Sequence, residues 1–284
     1  MPARRRKKRT NRKAQQHTRA GDRYVDAFRL HDAIRSYEAA TKLERKDASV
    51  QLKLADTYFA AEMPSKAYRA YRQALKIHPK NAECHFALGE FFLTIQKVRL
   101  AVYALRRAIE CDSDRHYYHC RLGEAYRRLG RREDAERCFR EAIRLAPADG
   151  YYHYRLADAY FRWQDWESAQ EEYRRAIDCA PFDDFYYICL SAAYLRADKT
   201  EPALNALRRT VVLRPRNRSY LHLLGWLLEE SGSAEDAEEY YQRAGQLGPY
   251  EEDYVERVRA KAGRDNDGRD DWEREEASRR PRSD

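Results

Sequence analysis

Five prolines, Pro79, Pro147, Pro181, Pro215 and Pro249, fall on one 34-residue grid, and Ser113 stands at its missing node. A period this strict leaves few choices of fold, because a chain that repeats its pattern must repeat its structure. Setting the prolines at position 32 divides the chain without gaps into seven units: 14–47, 48–81, 82–115, 116–149, 150–183, 184–217 and 218–251. Other columns test the frame independently. Position 20 is Ala33, Ala67, Ala101, Ala135, Ala169, Ala203 and Ala237, and position 8 is always small: Gly21, Ala55, Gly89, Gly123, Ala157, Ser191 and Gly225. Position 11 is Tyr, Phe or Leu throughout, and position 24 reads Tyr37, Tyr71, Leu105, Phe139, Tyr173, Leu207 and Tyr241. Large residues opposite small ones are what two packed helices need. Each unit is predicted to be a pair of amphipathic helices over positions 2–14 and 18–31, with Gly130 and Gly232 marking turns and Pro64 and Pro202 near the start of a second helix.

The columns resemble the tetratricopeptide repeat family. Unit four carries the pattern in His119, Leu122, Gly123, Tyr126, Ala135, Phe139, Ala142 and Pro147, and the likeness extends over residues 14–251. The resemblance implies an all-α fold, a right-handed α-solenoid of seven tandem helix-turn-helix repeats in which stacked neighbours bury a continuous apolar seam. One column departs: the usual tryptophan at position 4 is replaced by His17, Gln51, His85, His119, His153, Tyr187 and Leu221.

Beyond the repeats, Tyr250, Tyr254, Val255, Val258 and Ala262 make an apolar stripe, so 252–262 is expected to be a capping helix; Arg259 in the small column would stop the array. Residues 263–284 mix charges with Gly, Asp and Ser, and a disordered tail is expected, with Trp272 as its one large apolar residue.

The chain carries a formal charge of +8, all of it at one end. Residues 1–13 contain Arg4, Arg5, Arg6, Lys7, Lys8, Arg9, Arg12 and Lys13 and no acid, and the remainder balances at 47 basic against 47 acidic residues. This basic segment is expected to be a disordered tail that attracts nucleic acid, an anionic membrane surface or an acidic protein without reading sequence, or that serves solubility alone. It also resembles a nuclear-import signal, should the source have a nucleus. No apolar run is long enough for a transmembrane segment, and six cysteines without a CxxC pair suit a reducing compartment, so a cytoplasmic location is expected.

In the resembled family, positions 2, 5, 9 and 12 of the first helix line a concave groove. Here position 9 holds Asp22, Asp56, Glu90, Glu124 and Asp158, an acidic ladder, flanked by aromatic and apolar residues: Tyr117, Tyr151 and Phe185 at position 2; Leu52, Phe86, Tyr154 and Ile188 at position 5; Phe59, Leu93, Phe161 and Leu195 at position 12. Such a strip suits a partner peptide with apolar anchors and Lys or Arg. The alternative stands beside it: Arg19, Lys53, Arg121 and Arg155 lie three residues before four of these acids and would neutralise them as surface pairs. No unit has the Lys and Asn that some relatives use to grip acidic chaperone tails. On the second helix, Arg72, Arg106, Arg140, Arg174 and Arg208 form a ladder at position 25, read as a solvated convex face or a phosphate-binding ridge.

Metal and catalytic chemistry find little support. His85, His119 and His153 stand one repeat apart, about 10 Å by helix-packing distances, too far to share an ion. Neither a phosphate-cradling glycine loop nor a nucleophile elbow occurs, and no cofactor is implied. The chain is therefore expected to be a non-catalytic adaptor or scaffold that binds another protein's segment. The alternative is an RNA- or ribosome-associated factor gripping phosphate with the basic tail and the convex arginines. The oligomeric state is left open.

Overall fold

A computed structural model describes residues 2–246, with side chains from Asn11 onward. The capping helix expected at 252–262 and the charged tail expected at 263–284 lie outside the described residues. Among the described residues there are fourteen α-helices and no strand: α1 Pro2–Asp26, α2 Leu30–Leu43, α3 Ala48–Ala60, α4 Pro64–Ile77, α5 Ala82–Thr94, α6 Val98–Cys111, α7 His116–Arg128, α8 Arg132–Leu145, α9 Gly150–Arg162, α10 Trp166–Cys179, α11 Asp184–Arg196, α12 Thr200–Leu213, α13 Arg218–Glu230 and α14 Ala234–Gly245. The chain divides into two compact units, Met1–Pro147 and Ala148–Asp284, whose described residues form four and three helical hairpins.

From α2 onward, most helices begin and end one residue earlier than sequence predicts, and their starts and stops have local causes. Position 34 supplies the N-cap of the next repeat: Asp47 accepts from the Ser49 and Val50 amides, Asn81 from Cys84, Asp149 from Tyr151, Asp183 from Phe185 and Asn217 from Tyr220. Each such cap contributes about 1 kcal/mol by satisfying an otherwise orphaned N–H. Arg115 occupies the same place before α7 and makes no side-chain cap. At the other end, position 15 takes a left-handed conformation in all seven repeats: Phe28, Glu62, Gln96, Gly130, Gln164, Asp198 and Gly232 have φ between 54° and 88°. The amide that follows each one returns 2.8–3.0 Å to the carbonyl of position 11, as Arg131 N–H does to Tyr126, which is the Schellman closure of a helix.

The first helix differs from expectation. It starts at Pro2, so residues 2–13, expected to be disordered, belong to α1. The reason is compositional: after Pro2, which suits a first turn, the segment is rich in Arg and Lys and has neither Gly nor Pro until Gly21.

Within each hairpin the small columns set the spacing. All seven alanines of position 20 are at most 2% exposed. A Cβ added to Gly21 would come within 2.5 Å of the Tyr37 ring, one on Gly89 within 2.7 Å of Leu105, and one on Gly225 within 2.9 Å of Tyr241, so position 8 admits the large residue of position 24. In the first unit α2 packs on α3, α4 on α5 and α6 on α7, giving a stack of hairpins; in the second, α10 packs on α11 and α12 on α13. The last of these joins Ile188, Leu204, Leu207, Leu221, Leu224 and Leu228 in one apolar cluster. Two tyrosines add polar links between neighbouring hairpins: Tyr58 donates to Glu38 at 2.5 Å, and Tyr220 donates to Asp184 at 2.5 Å.

Candidate functional site

In the first unit the ladder of position 9 is engaged from within. Asp22 accepts from the Tyr37 hydroxyl at 2.7 Å and from Lys53 Nζ at 2.7 Å. Glu90 accepts from Arg121 Nε at 2.7 Å, and Glu124, 1% exposed, is held between Arg121 at 2.8 Å and Arg128 at 2.9 Å. Of the expected neutralising pairs three residues apart, Arg121 with Glu124 forms. Lys53 instead reaches back 31 residues, and Arg121 does so as well, because position 6 of one repeat lies against position 9 of the repeat before it.

Asp56 is the exception, and Ala87 explains it. Ala87 occupies the position 6 that should supply its cation, so Asp56 makes no ion pair; it accepts one hydrogen bond, from Tyr71 Oη at 2.6 Å. Asp56 is exposed to solvent, yet neighbouring protein takes part of the water from its carboxyl group. That desolvation raises the carboxyl to about 6; the Tyr71 bond opposes the rise and the charge of Glu83 adds to it.

The second unit has a different arrangement. Asp158 accepts from Arg162 Nε at 3.0 Å. Tyr173, the counterpart of Tyr37 and Tyr71, is fully buried and its hydroxyl has no hydrogen-bond partner. Burial drives its pKa well above the ordinary phenol range. Position 9 of the next two repeats carries Ala192 and Trp226.

The aromatic residues divide between surface and core. Tyr117, Phe86, Tyr151 and Phe185 are half-buried and keep part of their rings open. Tyr154 and Phe161, expected to face a ligand, are buried, as is the ion-paired Glu124. The burial of Tyr154 follows from stacking, since position 5 of one repeat is covered by positions 2 and 3 of the next. Tyr154 meets Phe185 at 5.3 Å and Tyr186 at 5.8 Å between ring centroids, just as Phe86 meets Tyr117 at 5.1 Å and Tyr118 at 4.8 Å. Phe161 packs against Trp166 at 5.0 Å.

The arginines of position 25 are exposed but largely committed: Arg140 pairs with Glu136, Arg174 with Glu171 and the Tyr194 hydroxyl, Arg208 with Glu201, and Arg72 lies over the Tyr68 ring. Side chains of the basic segment Arg4, Arg5, Arg6, Lys7, Lys8 and Arg9 are outside the described side chains. A cavity of about 530 Å³ between α6, α7 and α8 is lined by His119, Tyr126 and Cys138, with Arg131 and Arg137 both paired to Asp134 on its rim. The Cys138 thiol is pushed up to about 12 by burial, so it stays protonated and unreactive at neutral pH. The unusual position 4 column also has a structural use: His85 bonds the Pro79 carbonyl at 2.9 Å, His119 the Ser113 carbonyl at 2.8 Å and Tyr187 the Pro181 carbonyl at 3.2 Å. Sequence alone did not reveal that role, although the six-residue spacing to position 32 carries it. Among the described residues no three His, Cys, Asp or Glu side chains gather as a metal site.

Capped hairpins on a 34-residue period, with an alanine column beneath a column of large residues, define an α-solenoid repeat protein. Profiles described as tetratricopeptide repeat match residues 48–91, 120–184 and 191–252, and the chain belongs to the tetratricopeptide repeat family. Solved structures agree on the fold. A tetratricopeptide repeat protein from Parabacteroides merdae is 15% identical, with 88% of this chain and 99% of that one covered and a TM-score of 0.62. Pseudomonas aeruginosa pilF is 16% identical over 72% of this chain and 94% of its own, with a TM-score of 0.59. YrrB, described as having an unusual peptide-binding site, is 15% identical over 69% and 97%, with a TM-score of 0.53. No curated protein matches. The fold is that of a protein–protein interaction module, a class made up generally of non-catalytic scaffolds.

Proposed function

We propose that the chain is a non-catalytic adaptor that holds a basic segment of another protein against the first-helix face of its repeats. The observation that carries this reading is the accessible Asp56 carboxylate, without an internal cation, in a unit that also presents the half-open rings of Phe86 and Tyr117. Carboxylates elsewhere on that face are answered from within, so they offer a ligand little net charge. Aromatic surface supplies affinity in such a site and the carboxylate selects sign. Peptide recognition in YrrB, a structural neighbour, is consistent with the reading. Six free thiols fit action in a reducing compartment such as the cytoplasm. Crosslinking of the full chain to captured partners, followed by mapping of the linked residues, tests the proposal: crosslinks should cluster on α3, α5 and α7. Crosslinks confined to α1 together with RNA retention that collapses by moderate salt would favour the polyanion reading instead.

A further inference from the structure

We infer that the gap left by Ala87 is a seat for one lysine or arginine of the partner, whose cation completes the ion pair that Asp56 lacks. The inference deepens the proposed peptide-binding function and rests on it. Its basis is the comparison of three equivalent places in one stack. In the first, Lys53 of α3 lies 2.7 Å from Asp22 of α1; in the third, Arg121 of α7 lies 2.7 Å from Glu90 of α5. Between them, Ala87 of α5 holds the place 31 residues after Asp56 of α3 that Lys53 and Arg121 hold for their acids. The repeat therefore builds the same acid and omits the base, in a geometry that its two neighbours show to accept a long cationic side chain.

The surroundings favour a cation arriving from outside. Tyr71 on α4 donates to Asp56 and fixes the direction of its free lone pairs. Glu83 on α5 adds negative charge, and Cys84 on the same helix is a buried thiol bonded to the Tyr71 carbonyl. Lys53, the nearest cation along α3, is committed to Asp22. An accessible carboxylate that neighbouring protein already partly desolvates gains from a charge-assisted hydrogen bond to a cation.

Two variants of the full chain test this. Ala87→Lys fills the seat from within, and Asp56→Asn removes its charge while keeping an acceptor for Tyr71. The probe is a random linear peptide display library selected on the wild-type chain, followed by titration of the selected peptides. The expected result is a set of peptides sharing one essential Lys or Arg, each bound roughly tenfold more weakly by both variants. The carbon resonance of the Asp56 carboxyl should also titrate at lower pH in Ala87→Lys, showing that the place admits a cation. Peptides that bind both variants undiminished, or whose basic residues are dispensable, overturn the seat while leaving the groove reading intact. Failure to select any peptide overturns the groove reading and the seat with it.

Discussion

Lys53 Nζ lies 2.7 Å from Asp22 and so ties the second repeat to the first, although Asp56 is only three residues away on its own helix. The pair is open to solvent, and exposed pairs are worth about 0.2–1 kcal/mol. Glu124 sits differently, buried between Arg121 and Arg128. Removing it takes a buried carboxylate from Arg128 and leaves Arg121 with Glu90, in partly dry surroundings, a loss of about 3 kcal/mol. Urea unfolding should therefore show Lys53→Ala within 1 kcal/mol of wild type and Glu124→Ala several times more damaging. Equal effects would mean that the two bridges share one environment, contrary to their burial.

Tyrosines of one column should respond unequally to loss of a hydroxyl. Tyr37 and Tyr71 donate to Asp22 and Asp56, so Tyr37→Phe and Tyr71→Phe should each lose about 1–2 kcal/mol. Tyr173 buries a hydroxyl without a partner, and Tyr173→Phe should be neutral or stabilising in the same unfolding assay. A clear loss on Tyr173→Phe would reveal a partner for that hydroxyl in solution.

Asp56 makes stability depend on pH with an unusual sign. Its folded pKa of about 6 lies above the ordinary 3.8, so between those values the native state binds more protons than the unfolded one. Its contribution is most favourable below about 4 and is lost as pH rises through 6. Asp56→Asn is thus expected to melt higher than wild type at pH 7.5, with the gap closing by pH 4. A gap that is constant with pH would place the carboxyl pKa near its ordinary value. The groups near it are Tyr37, Tyr71, Glu83 and Cys84; the Cys84 thiol, pushed up to about 12 by burial, does not titrate in this window.

Turns and tight contacts should separate cleanly on glycine exchange. Gln96 holds φ at 57° where Gly130 and Gly232 do the same without a side chain. Gln96→Gly should stabilise by about 0.5–1 kcal/mol, since relief of the left-handed conformation exceeds the added freedom of the unfolded chain. Gly21→Ala, with its new methyl against the Tyr37 ring, should cost about 1–3 kcal/mol despite the better helix propensity of alanine. Thermal melts of both variants decide the matter, and a destabilised Gln96→Gly would mean that the glutamine side chain contributes more than the turn costs.

The repeat frame was legible because it rests on steric columns: a side chain on Gly123 would press on Phe139 and the Ala135 backbone, and Ala135 is fully buried, so the period is written in residue size. The 34th position also announces its caps in Asp and Asn. Surface chemistry was less legible. The ladder from Asp22 to Asp158 is a regular column in sequence, yet whether Asp22, Asp56 or Glu90 is available depends on the residue 31 places onward, a relation between repeats that helical spacing within one repeat does not disclose. Burial of Tyr154 has the same origin, since the covering rings of Phe185 and Tyr186 belong to the next repeat. Residues 2–13 were read by charge when their helix-forming composition governs, and α1 extends through them.

Backward-reaching cations give the first unit a polarity that its helices alone would lack. The second hairpin carries a donor, Lys53, on one flank and a receptor, Asp56, on the other, so the link it makes to the first hairpin has a direction. At Asp56 that handshake is offered and not returned from inside, which makes the register of the stack itself the ruler by which a second molecule could be aligned.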